Sequence, residues 1–272
     1  MDKQQPLGVF DSGVGGLSVL RVIQEQMPEE SVIYFGDQAH VPYGPRPLQQ
    51  VRDFSEGITR FLLENGAKLI VVACNAASAA ALTYLRQIFS DISFVGMEPA
   101  VKPAAEHTET GVVGVLATPA TFQGALYASV VERFGAGVKL LQSTCPGLVQ
   151  QIELGDLDGP ETHRILEFAL QPMLEQNIDT IVLGCTHYPF VIPAIKKIVG
   201  NKVRVIDPAP AVARQAERLL EKNRLKITAG GQGKIQFYTS GDPIPFQILL
   251  PKLIDDVKTV KRLKWEGDKV LK

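Results

Sequence analysis

Cysteine is scarce in this chain and poorly arranged for crosslinking: three thiols among 272 residues, an odd number without a C-x-x-C pair. A disulfide framework is thereby excluded, and a reducing compartment fits best. Without C-x-x-C or H-x-x-x-H spacing, a zinc site built from Cys185, His187 and Cys145 or Cys74 is disfavoured. An excess of charge of one sign is missing too. The 28 Lys and Arg against 29 Asp and Glu leave a net charge of -1, so no basic field exists to draw nucleic acid or an anionic membrane. No apolar run approaches the roughly 20 residues of a membrane span, and Met1-Asp2-Lys3-Gln4-Gln5 leads into a short apolar run instead of a signal-peptide core. The expected location is the cytoplasm, with neither nucleic acid nor membrane as partner. No lysine stands in a setting that marks pyridoxal phosphate, so a reaction without cofactor or metal is favoured. What is plentiful is ordinary: 45% hydrophobic and 21% charged residues supply a sizeable core, and the length favours one large or two medium domains.

Short Val- and Ile-rich runs alternate with longer segments of helical period, the pattern of an α/β protein with mainly parallel strands. Strands are expected near 7–11, 31–36, 68–74, 92–97, 111–117, 138–142, 180–185, 203–207 and 235–239. Helices are clearest over 15–27, 48–65, 76–89, 121–134, 160–176 and 209–224. The order also repeats. Gly8-Val9-Phe10-Asp11-Ser12 is echoed by Gly114-Val115-Leu116-Ala117-Thr118, and Val32-Ile33-Tyr34-Phe35 by Val138-Lys139-Leu140-Leu141. Ile70 to Asn75 and Ile181 to Thr186 each end an apolar run on a cysteine and a polar residue, and acid-proline pairs follow at Glu98-Pro99 and Asp207-Pro208. The expectation is two pseudo-symmetric three-layer αβα lobes with the active site between them. Residues 1–98 with 208–272 form one lobe and 99–207 the other. Thr228 to Gly233 reads as a surface turn, and Trp265 to Lys272 as a tail of uncertain order.

A thiol just past the C-terminal end of a buried strand lies where open α/β sheets place their ligand crevices. Either cysteine alone could be a small core hydrophobe. The pairing of Cys74 with Cys185, beside Asn75, Thr186 and His187 as hydrogen-bonding neighbours, points to a two-sided acid/base pair such as a racemase needs. Asp11-Ser12-Gly13-Val14-Gly15-Gly16 follows the first strand and could bring amides toward an anion at a helix start. A dinucleotide site with Asp37 on the ribose fits poorly, because Ser18 occupies the third glycine position and Asp11 would repel a pyrophosphate. A small carboxylate suits the loop better; a purely structural turn is the remaining reading. Cys145 has no twin and is assigned to packing, and Glu153 and Asp156 by themselves read as solvated helix-end charges. His40 to Pro47, with three prolines and a glycine, is a rigid loop or a binding loop.

At these residues the chain resembles the glutamate racemases over nearly its whole length. The resemblance rests on Gly8 to Leu17, on Val41-Pro42-Tyr43-Gly44, and on Gly184-Cys185-Thr186-His187-Tyr188-Pro189. His187 separates it from the aspartate racemases, which typically carry Glu there, and two cysteines separate it from single-cysteine relatives such as the arylmalonate decarboxylases. The resemblance implies that Cys74 and Cys185 are catalytic, Cys74 toward D-glutamate and Cys185 toward L-glutamate, with Asp11, Glu153 and His187 as supporting acid/base groups. Substrate contacts are implied for Asp11, Ser12, Pro42, Tyr43, Gly44, Asn75, Ala76, Thr118, Thr121, Thr186 and His187. It further implies no cofactor, a cytoplasmic supply of D-glutamate for peptidoglycan, and commonly a homodimer.

Three positions depart from the family pattern. Gln150 replaces a usual proline in the segment that brings in Glu153. Ala76 stands where the family usually has Thr after Asn75, which removes a hydroxyl expected on a substrate carboxylate; Ser12, Asn75 or a water is expected to take that contact over. Gly124 stands where the Thr118-Pro119-Ala120-Thr121 segment would continue to a serine. The rival readings are a bilobal carboxylate-binding protein with structural thiols, which leaves the paired strand ends unexplained, and a related racemase for another carboxylate, which Ala76 keeps open.

Overall fold

A computed structural model describes residues 2–228, 230–254 and 259–271. The chain opens with β1 (Leu7–Asp11), α1 (Leu17–Gln26), β2 (Val32–Gly36), α2 (Leu48–Glu64), β3 (Leu69–Val72), α3 (Asn75–Ile88) and β4 (Phe94–Gly96). It continues through α4 (Val101–His107), β5 (Val112–Ala117), α5 (Pro119–Gln123), α6 (Ala125–Phe134), β6 (Lys139–Ser143), α7 (Leu148–Glu153) and α8 (Pro160–Leu174). Next come β7 (Thr180–Gly184), α9 (Ile192–Val199), β8 (Arg204–Ile206), α10 (Ala209–Lys222), β9 (Ile235–Thr239) and α11 (Pro243–Ile254). The last strands are β10 (Val260–Arg262), β11 (Lys264–Glu266) and β12 (Lys269–Leu271).

Two parallel sheets result. One has the order β10-β9-β2-β1-β3-β4 and the other β6-β5-β7-β8. The run β2-β1-β3-β4 therefore recurs, strand for strand, as β6-β5-β7-β8, which is the sequence repeat seen in three dimensions. Side chains alternate across each strand, and both faces are covered. Leu7, Val9, Leu69 and Val71 enter one core while Phe10, Ile70 and Val72 enter another. In the second sheet Val113, Val115 and Val182 face one cluster, and Leu116, Ile181 and Leu183 the opposite one. Burial on both faces is why these strands read as continuous apolar runs. No helix among the described residues is long and apolar enough to cross a membrane.

The carboxyl-terminal part joins the first sheet: β9 pairs with β2, and β10 with β9. A buried ion pair fixes the same side. Lys68 Nζ donates to Glu30 at 2.6 Å and to the carbonyls of Lys3 and Leu225, while the Ile227 amide donates to Glu30. Residues 264–271 form regular structure where the sequence left the order of the Trp265 tail open; Lys272 lies outside the described residues, as does Ala229 in the glycine-rich segment, whose other residues are surface loop. β11 and β12 form an antiparallel hairpin, Trp265 opposite Val270, turned by Gly267 at φ 62. Three-residue strands carry too little alternation to be read alone, and Trp265 and Val270 become a hydrophobic face only against α2.

Candidate active site

Four equivalent strand ends converge on one crevice. Asp11 ends β1 and Ser12 follows it, Cys74 lies past β3, Thr118 past β5 and Cys185 past β7, so the internal repeat delivers one thiol from each sheet. The crevice is narrow and is lined by Ser12, Pro42, Tyr43, Gly44, Cys74, Asn75, Ala76, Thr118, Val149, Cys185, Thr186 and His187. Both thiols are buried at 5% exposure, as a base that must avoid bulk water would be. Asp11, Thr121 and Glu153 do not line the crevice and stand behind it. Thr121 shares a hydrogen bond with Thr118 at 3.1 Å. Val149 and the Asp37 network described below escaped the sequence reading; a valine beside a crevice carries no sequence signal, and Asp37 drew notice only as a ribose ligand.

Cys74 is the N-cap of α3, in extended conformation (φ -143, ψ 122), which sets its sulfur at a helix start. Burial raises its pKa well above the ordinary thiol value, the Asp11 charge adds to that rise, and the Ala77 and Ser12 amides act against it. Cys185 has a different setting. Its sulfur lies 3.8 Å from Nδ1 of His187, whose Nε2 lies 2.7 Å from Glu153 Oε1. Burial opposes the imidazolium, but the bonds to Cys185 and Glu153 outweigh it and hold the His187 pKa well above its usual value. For Glu153, burial is likewise overcome, by His187, the Val14 amide and Gln38, and its pKa is lowered. Glu153 is thus no solvated helix-end charge, whereas Asp156 serves a turn by accepting the Gly159 amide at 2.6 Å.

The glycine-rich loop after β1 is a docking surface for these groups. A Cβ on Gly13 would strike the Glu153 carboxylate, and one on Gly15 the His187 ring. The Val14 amide donates to Glu153 at 2.8 Å and the Gly13 amide to Asp11 at 2.9 Å. Two amides that could have faced an external anion are therefore taken by the protein's own carboxylates. Thr186 Oγ1 donates to Asp11 at 3.2 Å, and Ser18 Oγ lies 2.9 Å from the Thr186 carbonyl, tying the loop after β7 to the first sheet.

Asn75 is the unbalanced group. It is 3% exposed, and neither atom of its side-chain amide has a hydrogen-bond partner among the described residues. Such a group costs about 1–3 kcal/mol, and its place on the crevice wall suits a ligand carrying both donors and acceptors. Gly124 has a packing reason, since a Cβ there would come within 2.6 Å of the Ala79 Cβ on α3. Cys145 is buried, with burial pushing its thiol up to about 12, consistent with a packing role. The described residues contain no group of three or more His, Cys, Asp or Glu placed to hold a metal ion.

A family model described as Asp/Glu/Hydantoin racemase matches residues 7–216. The glutamate racemase of Stutzerimonas stutzeri is 47% identical over 252 residues, 93% of this chain and 95% of that protein. Among solved structures, a glutamate racemase isoform from Bacillus anthracis superposes with a TM-score of 0.85 at 32% identity, covering 98% of this chain and 99% of its own. A glutamate racemase from Francisella tularensis, solved with D-glutamate, gives 0.83 at 30% identity over 96% and 97% of the two chains.

Proposed function

This chain belongs to the Asp/Glu/Hydantoin racemase family and is an amino-acid racemase, an isomerase; on that premise we propose that it interconverts L- and D-glutamate with two cysteines as its acid and base and without a cofactor. The observation that carries this reading is the pair of buried thiols at equivalent strand ends, opening onto one crevice. The α-proton of an amino acid is far less acidic than a thiol, so its removal needs a positioned base and a sheltered carbanion. In the L-to-D direction the Cys185 thiolate takes the α-proton while the Cys74 thiol gives one from the opposite face, which inverts the centre. Cys74 is left as thiolate and Cys185 as thiol, and proton exchange with solvent resets the pair. His187, held by Glu153, supports Cys185; Asp11 does so for Cys74. Ser12, Asn75, the Pro42-Tyr43-Gly44 loop, Thr118 and Thr186 hold the substrate, with Ser12 and Asn75 covering for the hydroxyl that Ala76 lacks.

The two lobes, 1–98 with 208–272 and 99–207, close over the substrate and exclude water from the carbanion. The product suits peptidoglycan synthesis in the cytoplasm. A homodimer is also inferred, and the exposed Ile244 and Ile248 on α11 offer an apolar face for it. The test of the activity is incubation with L-glutamate, and separately L-aspartate, in deuterated water without added cofactor, following optical rotation and α-deuterium together. Racemisation of glutamate with deuterium gain is expected. No exchange by folded, reduced protein would refute the reading.

A further inference from the structure

Asp37 is fully buried just past β2, and donors from the loop that follows it and from two distant segments converge on its carboxylate. The Tyr43 hydroxyl donates to Oδ2 at 2.5 Å, Ser240 Oγ to Oδ1 at 2.6 Å and the Trp265 indole N–H to Oδ1 at 2.8 Å; His40 Nδ1 lies 2.9 Å from Oδ2. Around this point His40 stacks on Phe54 at 3.9 Å between centroids, and Trp265 packs against both rings. Tyr43 itself lines the substrate crevice, and the Gly44 carbonyl accepts the Ala120 amide at 3.0 Å. Trp265 is the one tryptophan of the sequence, and it sits in the hairpin that ends the chain.

We propose that Trp265 and Asp37 are positioning residues, a clip by which the carboxyl-terminal hairpin fixes the Pro42-Tyr43-Gly44 loop in its substrate-binding position. The carboxylate accepts only, and the hydroxyls and the indole N–H donate to it, so the junction has one sense. Removing the indole N–H leaves Asp37 with fewer donors and frees the hairpin end of the clip. The loop then samples positions in which Tyr43 and Gly44 no longer meet the substrate. Neither Asp37 nor Trp265 lines the crevice, so the effect falls on substrate binding rather than on proton transfer. Gly57 on α2 supports the hairpin from beneath: a Cβ there would come within 2.5 Å of the Asp268 carbonyl and 2.7 Å of the Trp265 ring.

This inference rests on the glutamate reading above for its kinetic arm only. Trp265→Phe keeps the ring and deletes the donor; Gly57→Ala displaces the hairpin without touching Asp37 or the loop. The expected result for both is a KM for glutamate raised about three- to tenfold with kcat changed less than about twofold, smaller than the full loss of a charge-assisted hydrogen bond because only part of that loss reaches the loop. Hydrogen exchange without substrate should show the amides of residues 38–46 exchanging about tenfold faster, well beyond any acceleration in the strands of the first sheet. A Trp265→Phe protein with unchanged KM and unchanged loop exchange overturns the clip, as does a fall in thermal midpoint alone. Should Gly57→Ala fail to fold, Trp265→Phe decides. If the parent protein does not racemise glutamate, the functional reading fails, and loop exchange alone judges the clip.

Discussion

Replacing Glu153 by Gln keeps the shape of the side chain and deletes the charge that faces His187. The imidazole and carboxylate lie 2.7 Å apart with 3% and 14% of their side chains exposed, so solvent and salt screen the pair little. A hydrogen bond to a charged group contributes about 1.5–3 kcal/mol, and one pKa unit corresponds to about 1.4 kcal/mol. The raised His187 pKa should therefore fall back toward its ordinary value. The protonated imidazole is present below that pKa and lost as pH rises through it. In Glu153→Gln the alkaline limb of kcat/KM should accordingly move toward neutrality. Because the two enantiomers have equal free energy in water, kcat/KM must stay equal in both directions. The asymmetry shows instead in isotope effects: with Cys185 impaired, the effect for α-deuterated L-glutamate should grow and that for the D-enantiomer shrink. Stability follows the same pair. Glu153, with its pKa lowered, contributes fully above about 4.5, and His187, with its pKa raised, contributes fully below about 6.5. The gap in thermal midpoint between parent and variant should be widest between those values. It should narrow as pH rises through the His187 value or falls through that of Glu153. An unmoved alkaline limb with balanced isotope effects would refute the role given to Glu153.

Cys74→Ala and Cys185→Ala should each lose at least about two to four orders of magnitude in racemisation, the range a positioned acid or base supplies; near-normal turnover in either would remove the two-thiol mechanism. Asn75→Ala should raise the KM for glutamate about tenfold yet leave the free protein as stable or more so, because it deletes a buried amide without partners; parallel denaturant titrations and kinetics test both halves. Lys68→Met leaves Glu30 buried without its counterion and should cost about 3–5 kcal/mol of unfolding free energy, read from urea titrations, with kcat unaffected in the folded protein.

Much of the architecture was legible because α/β strands buried on both faces are written as unbroken Val and Ile runs. All nine strands expected from those runs are present, and the expected helices differ mainly by an extra break at Gly124, between α5 and α6. The short helices α4, α7 and α9 were not foreseen; at six to eight residues each is too short to establish a helical period in the sequence. Cys74 and Cys185 stood out because duplication wrote the same strand end twice.

Sequence by itself determined the strand runs, the repeat and the two thiols, since each is set by residues close along the chain. Only the tertiary structure decided what those thiols face. It brought Glu153 to Val14 and His187 across the glycine loop, left the Asn75 amide unpartnered on the crevice wall, and set the Trp265 hairpin on Asp37. Those choices depend on distances between residues far apart in sequence. Burial then fixes their energies, because a carboxylate or an amide removed from water must find its partners wherever the fold puts them.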